Sequence, residues 1–136
     1  MLARCIADSI DQLELQPVKD RLQNDFHLDG PIAELSIGEV YHVVALEARG
    51  GGIWLFLDML EGGEYPYTYP IELFEIDDPA IPAGWCVGFE SQGSGLMIKR
   101  ISFPTWVYDD SFYEKLVDGD TSAIESYEEA RSRAYK

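Results

Sequence analysis

Val40-Tyr41-His42-Val43-Val44-Ala45-Leu46 leads through Glu47 to Gly52, with three consecutive glycines, into Ile53-Trp54-Leu55-Phe56-Leu57. Both flanks are apolar, and the first is rich in β-branched side chains that fit a pleated, buried surface. Glycine tolerates the backbone of a tight reversal, so the middle predicts a hairpin connection between antiparallel strands. The fold is therefore read from a β-hairpin at the centre of the chain.

Upstream, Ser36-Ile37-Gly38-Glu39 reads as the turn that opens this hairpin. Downstream, Gly62 to Pro70 is excluded from a central strand, because each proline removes a ladder donor. Ile71 to Ile76 resumes a strand, and Asp77 to Gly84, with Pro79 and Pro82, is a loop. Trp85, Val87 and Phe89 alternate with Cys86, Gly88 and Glu90, the period of a half-buried strand. Ser91 to Gly95 turns the chain, and Leu96 to Phe103 returns. Five strands with short turns predict an α+β protein built on a small, strongly curved antiparallel sheet or open barrel.

Helical patterns flank this core. Asp8 is a candidate N-cap for a helix to about Leu15, and Pro17 suits the first turn of a second. Leu22 and Phe26 would share its buried stripe, and Asp29-Gly30-Pro31 would end it. At the other end, Ser111-x-x-Glu114 and Ser122-x-x-Glu125 have capping-box spacing, with Gly119 at a helix stop. Helices over Phe112–Val117 and Ser122–Ala134 follow, with Arg131, Arg133 and Lys136 at the negative end of the last dipole. The 136 residues fit one domain: a helical segment 1–34, a β core 35–103 and C-terminal helices 104–136.

The hydrophobic fraction of 46% is too high for a disordered chain. Cys5 and Cys86 stand far apart without a metal-binding neighbourhood, as expected of reduced thiols. The opening residues lack an apolar run of leader length, and Ile53–Leu57 is far too short to span a membrane. A cytoplasmic protein is expected.

Net charge is −15, from ten basic and 25 acidic side chains. Phosphate backbones are recognised by clustered Lys and Arg, which are missing here, so direct nucleic-acid binding is disfavoured. Solubility, attraction to a basic protein and mimicry of nucleic acid remain as explanations of the acidity. Gly50 to Ile98 contains no Lys or Arg but holds Asp58, Glu61, Glu64, Glu72, Glu75, Asp77, Asp78 and Glu90. If those acids share a face, the segment makes a coherent negative field.

Catalytic patterns are missing. His27 and His42 are the only histidines, and a structural role fits His42 on the Val40/Val44/Leu46 face better than that of a base. Ser94 lacks nucleophile-elbow spacing, and nothing near Cys86 would lower its pKa. The acid pairs Asp77-Asp78 and Asp109-Asp110 and the Asp118-Gly119-Asp120 turn lack a calcium-loop pattern. No enzyme, metal or cofactor is expected. In contrast, Tyr65-Pro66-Tyr67-Thr68-Tyr69-Pro70 reads either as a loop covering the core or as a rigid aromatic anchor. In the second reading, Tyr65, Tyr67 and Tyr69, with Asp58, Glu61, Glu64, Glu72, Glu75, Asp77 and Asp78, form the contact set for a basic protein partner.

A family pattern runs through the same region. Leu35-x-x-Gly38-x-x-Tyr41-x-Val43, Ile53-Trp54-Leu55-Phe56 and Tyr69-Pro70-x-x-Leu73-Phe74-Glu75-Ile76-Asp77-Asp78 are followed by Ile81-Pro82-x-x-Trp85. Phe103-Pro104-x-Trp106 and Asp110-x-Phe112-Tyr113-Glu114-x-Leu116-Val117-Asp118-Gly119-Asp120 complete it. This series, over about residues 35–130, resembles a family of small bacterial proteins found beside polymorphic or contact-dependent toxin genes. The resemblance implies an immunity protein with a fold close to an SH3-like barrel. Joined to the charge, it suggests occlusion of a basic toxin domain, a nuclease; the alternative is an adaptor whose acidity serves solubility.

Overall fold

The computed structural model describes residues 1–26, 30–59 and 65–135, with backbone only at 25 and 26. Its elements are β1 (Leu2–Cys5), α1 (Gln16–Phe26), β2 (Val40–Arg49), β3 (Gly52–Asp58), β4 (Tyr67–Pro70) and β5 (Phe74–Asp78). They are followed by β6 (Cys86–Gln92), β7 (Gly95–Ser102), α2 (Pro104–Val107), α3 (Phe112–Val117) and α4 (Thr121–Ala134). The protein is α+β, with a seven-stranded, unclosed antiparallel sheet.

The central hairpin forms as its sequence predicts. Arg49 pairs with Gly52, leaving Gly50 and Gly51 as a two-residue turn with φ of 58° and 79°. Two positive φ values in succession match the twist of the flanking strands, and only glycine adopts both without strain.

The sheet forks on β2. Val40–His42 pair with β1, which pairs in turn with β5, whereas Leu46 and Glu47 pair with β7 of the β6–β7 hairpin. Between the branches, Val43 and Val44 would leave carbonyls unpaired in the interior. The Tyr135 hydroxyl donates to the Val43 carbonyl at 2.5 Å, and the Ser102 hydroxyl to the Val44 carbonyl at 2.7 Å. Side chains thus supply the bonds that the diverging strands cannot, as buried backbone groups require.

Two apolar clusters lie against the sheet. Leu22 of α1 joins Ala3, Cys5, Val43, Leu55, Leu57 and Leu73 in one. Trp106, Phe112, Leu116 and Tyr127, from α2 to α4, pack with Val44 and Phe56 in the other. Burying a side chain such as Phe56 or Phe112 contributes about 1.5–3 kcal/mol. No helix among the described residues is long and apolar enough to cross a membrane.

Several local expectations change. The first residues form a strand, not part of a helical segment: Ala3 and Cys5 point inward, and Leu2 and Arg4 are only partly covered. The expected helix from Asp8 is a single 3-10 turn, Ile10–Gln12, capped by Ser9. Tyr67–Pro70 is a strand, and its one proline, Pro70, is accommodated because β4 is at the sheet's edge. Ile71–Leu73 is a 3-10 turn rather than the start of β5. With β1 and β4 added, the strands among the described residues number seven and not five.

At the C-terminus α3 has the expected bounds. Gly119, at φ 82°, closes it with bonds from its own N–H to Leu116 and from Asp120 N–H to Lys115. The capping serines do not act as read. Ser111 makes no side-chain cap bond, and α4 is capped by Asp120, whose carboxylate accepts from Ala123 N–H at 2.9 Å. Ser122 falls inside the first turn. His27, Asp29 and Lys136, and the side chain of Phe26, lie outside the described residues.

Candidate partner-binding surface

The residues predicted to meet a partner are drawn into the fold to different degrees. Asp58, at the end of β3, is only 6% exposed and accepts from Arg131 of α4 at 3.2 Å. Glu72 is paired with Arg21 of α1, both largely covered. Glu75 and Asp77 share Arg4 of β1, at 2.5 and 3.3 Å. Asp78 accepts from Ala80 N–H at 3.0 Å and turns the chain out of β5. Glu61 and Glu64 lie outside the described residues.

The tyrosines face inward. Tyr69 is buried in the first cluster with Phe74, and burial pushes its phenolic pKa well up. Tyr67 packs on the same cluster, and Tyr65 meets Tyr113 of α3 edge-on, 6.4 Å between centroids. The Tyr113 hydroxyl donates to the Pro66 carbonyl at 2.8 Å, fixing the segment between them. The Tyr-Pro run therefore covers the core, and its tyrosines do not form a protruding anchor. Nor do the described ones among the predicted acids form one open patch. Asp58 and Asp78 do lie in one row across the sheet, through His42 and Leu2, but Asp58 is closed off by Arg131.

Charge is organised in another way. Among the described residues, every Lys and Arg except Lys19 is ion-paired: Arg4, Arg21, Arg49, Lys99, Arg100, Lys115, Arg131 and Arg133 each have an acidic partner. Arg100 is the most enclosed, held by Glu47 at 3.0 Å and Asp110 at 3.5 Å beneath α2. Hydrogen bonding from Lys99 holds the Asp110 carboxyl below the usual carboxylate range. The cations are thus neutralised internally, and acids are left over.

The exposed acids without an ion pair among the described residues lie mainly outside the central segment. Asp11, Glu14 and Glu34 belong to the N-terminal third, and Glu114, Asp118, Glu125 and Glu128 to α3, α4 and their junction. Glu125, Glu128 and Ser132 follow the solvent face of α4, opposite buried Ala123 and Tyr127. Three- and four-residue spacing was the signal for that face, obscured by counting acids along the chain.

The second feature missed from sequence is apolar. Trp85 packs on the second cluster, but Val87, Phe89, Leu96, Met97 and Ile98 of the β6–β7 hairpin are exposed, Phe89 by 60% and Leu96 by 73%. Alternation marked an apolar face correctly; what it could not show is that this face is uncovered. Because β7 pairs with β2 only at Arg100 and Ile101 and diverges from it over the residues before them, a cleft of about 420 Å³ opens between the hairpin and the Gly50-Gly51 turn. Arg49, Ile53, Glu90, Gln92, Met97 and Ile98 line it.

His42 stacks on Tyr135, 4.0 Å between centroids, and Cys86 is half-buried at the base of the hairpin. Among the described residues no three His, Cys, Asp or Glu side chains are gathered for a metal ion. Comparison with family models, with curated proteins and with solved structures finds no match for this chain.

Proposed function

We propose that this chain is a non-enzymatic, cytoplasmic inhibitor that binds a cationic bacterial toxin domain, a nuclease, and covers its active site. The observation that carries the reading is the internal neutralisation of its cations, which leaves an acid-dominated exterior on a chain of net charge −15. A nuclease needs positive charge at its substrate groove. An acidic protein gains steering toward that groove, and like-charged wrong partners are repelled. The toxin-side identity rests on the family resemblance of residues 35–130. The SH3-like comparison belongs to the same proposal, and the bulges at Val43/Ala45 and Gly88/Phe89 support the strong strand curvature it requires.

The test is capture of partners by the tagged chain from its own organism at low and high salt. A basic toxin domain retained less at high salt, with its nuclease activity suppressed by the purified chain, is the expected result. A neutral or acidic partner held equally at both salts would favour an adaptor whose acidity serves solubility alone.

A further inference from the structure

β5 ends the sheet on the side away from β4, and its outer edge meets no strand among the described residues. The hydrogen bonds of β1 fix which backbone groups of β5 are open there. The Cys5 N–H donates to Glu39 and the Cys5 carbonyl accepts from Gly38, so Cys5 turns its peptide groups toward β2. In an antiparallel pair the residue opposite turns its own groups the other way, and the pattern alternates along the strand. Phe74, opposite Cys5, and Ile76, opposite Ala3, therefore point to the open edge, whereas Glu75 bonds inward to Arg4. The Phe74 N–H closes the 3-10 turn onto Ile71. The Phe74 carbonyl and both peptide groups of Ile76 are left without a backbone partner among the described residues.

The side chains beside these groups divide by face. Glu75 and Asp78 stand opposite Arg4 and Leu2, two residues apart on β1, and so share a face; Asp77 joins them through Arg4. All three acids are exposed. Arg4 answers Glu75 and Asp77, and Asp78 accepts from the Ala80 N–H, so negative charge is in excess. Ile76 lies on the other face, packed against the first apolar cluster. The bulge between Leu2 and Ala3 interrupts regular pairing beyond Ile76, which limits an added strand to a short segment.

Charge selects the occupant. If β5 paired with β5 of a second copy about a two-fold axis at Ile76, each Glu75 would stand opposite an Asp77. Like charges directly opposite destabilise a strand pair, and opposite charges stabilise it. Acids on an edge strand thus exclude copies of the same chain and admit a basic strand. We propose that the outer edge of β5 receives a short extended segment of the cationic partner as an added antiparallel strand. An apolar residue of that segment lies opposite Ile76, between Lys or Arg residues opposite Glu75 and Asp77. Main-chain bonds to Phe74 and Ile76 hold the segment, and its basic–apolar–basic alternation gives the specificity. This rests on the cationic-partner reading above and names the part of the partner that is recognised.

Residue-resolved amide hydrogen exchange on the full chain tests it, with a synthetic alternating Lys-Val peptide and its Glu-Val counterpart as probes. In the free chain the Ile76 N–H should exchange fast and the Glu75 N–H, held in the ladder, slowly. Saturating Lys-Val peptide should slow Ile76 by about tenfold or more, and Glu-Val peptide should not. Glu75→Gln combined with Asp77→Asn should weaken the Lys-Val peptide by about three- to tenfold and flatten its salt dependence. An unchanged melting profile verifies that this variant folds, and the exchange readout on the native chain does not depend on it. Salt-sensitive binding of Lys-Val peptide without slowing at Ile76, or no binding, would overturn the edge assignment and leave the cationic reading to the capture experiment. Equal slowing by both peptides would overturn the charge selection and count against the cationic reading as well. Protection of Ile76 in the free chain that grows with protein concentration would overturn the proposal in favour of pairing between copies.

Discussion

Arg4 meets Glu75 across 71 residues of chain, and Arg131 meets Asp58 across 73. The acids were legible in the sequence; their cations, supplied from the two ends of the chain, were not. That is why Asp58 reads as a contact residue and folds as a tie between β3 and α4. Replacing it by Asn should cost about 1–3 kcal/mol in denaturant unfolding, because a largely buried charge-assisted bond is lost. Partner association should be nearly unchanged. Tyr135 gives a test in pH. Burial pushes its phenol from 10 up to about 12. Between those values the unfolded chain has lost the proton that the folded chain still holds, so stability falls as pH rises through that window. Below pH 10 this contribution is fully present. Tyr69 and Tyr127 are raised in the same direction by burial. Denaturant midpoints measured between pH 9 and 12 should fall steeply for the native chain and less steeply for Tyr135→Phe.

At the scale of elements, patterns carried by several residues were the readable ones. The central hairpin, the β6–β7 hairpin and α3 have local signatures in turn glycines, alternation and a helix stop. β1 has only four residues and is recognisable as a strand chiefly through its partners β2 and β5. The Tyr-Pro segment was read correctly as unfit for a central strand, but sequence cannot distinguish a loop from an edge strand. Cap assignment failed at α4 because Ser122 was read as the cap from its spacing to Glu125, and only geometry shows that it is the Asp120 carboxylate that meets an amide, that of Ala123. Asp120→Ala should therefore destabilise the protein by about 1 kcal/mol, and Ser122→Ala by a few tenths at most. Thermal unfolding of the two variants side by side checks this; equal losses would contradict the assigned cap.

Across the whole molecule, the fork on β2 is the feature that sequence concealed. Strand number and order follow from which edges of β2 are shared, and local periodicity contains no such information. The fork also opens the cleft beside the Gly50-Gly51 turn, so that cleft was concealed with the topology. Composition foretold the negative exterior, but its placement depends on how eight cations among the described residues are paired, mostly by contacts that only the fold assembles. Neutralising Glu114, Asp118, Glu125 and Glu128 together should slow association while leaving dissociation little changed.

The association rate of the captured partner, followed in stopped flow from low to high salt, tests the central claim most directly. A rate near 10⁸–10⁹ M⁻¹s⁻¹ at low salt that falls steeply as salt rises is the predicted result. A rate that stays flat across the same range would contradict recognition of a cationic partner.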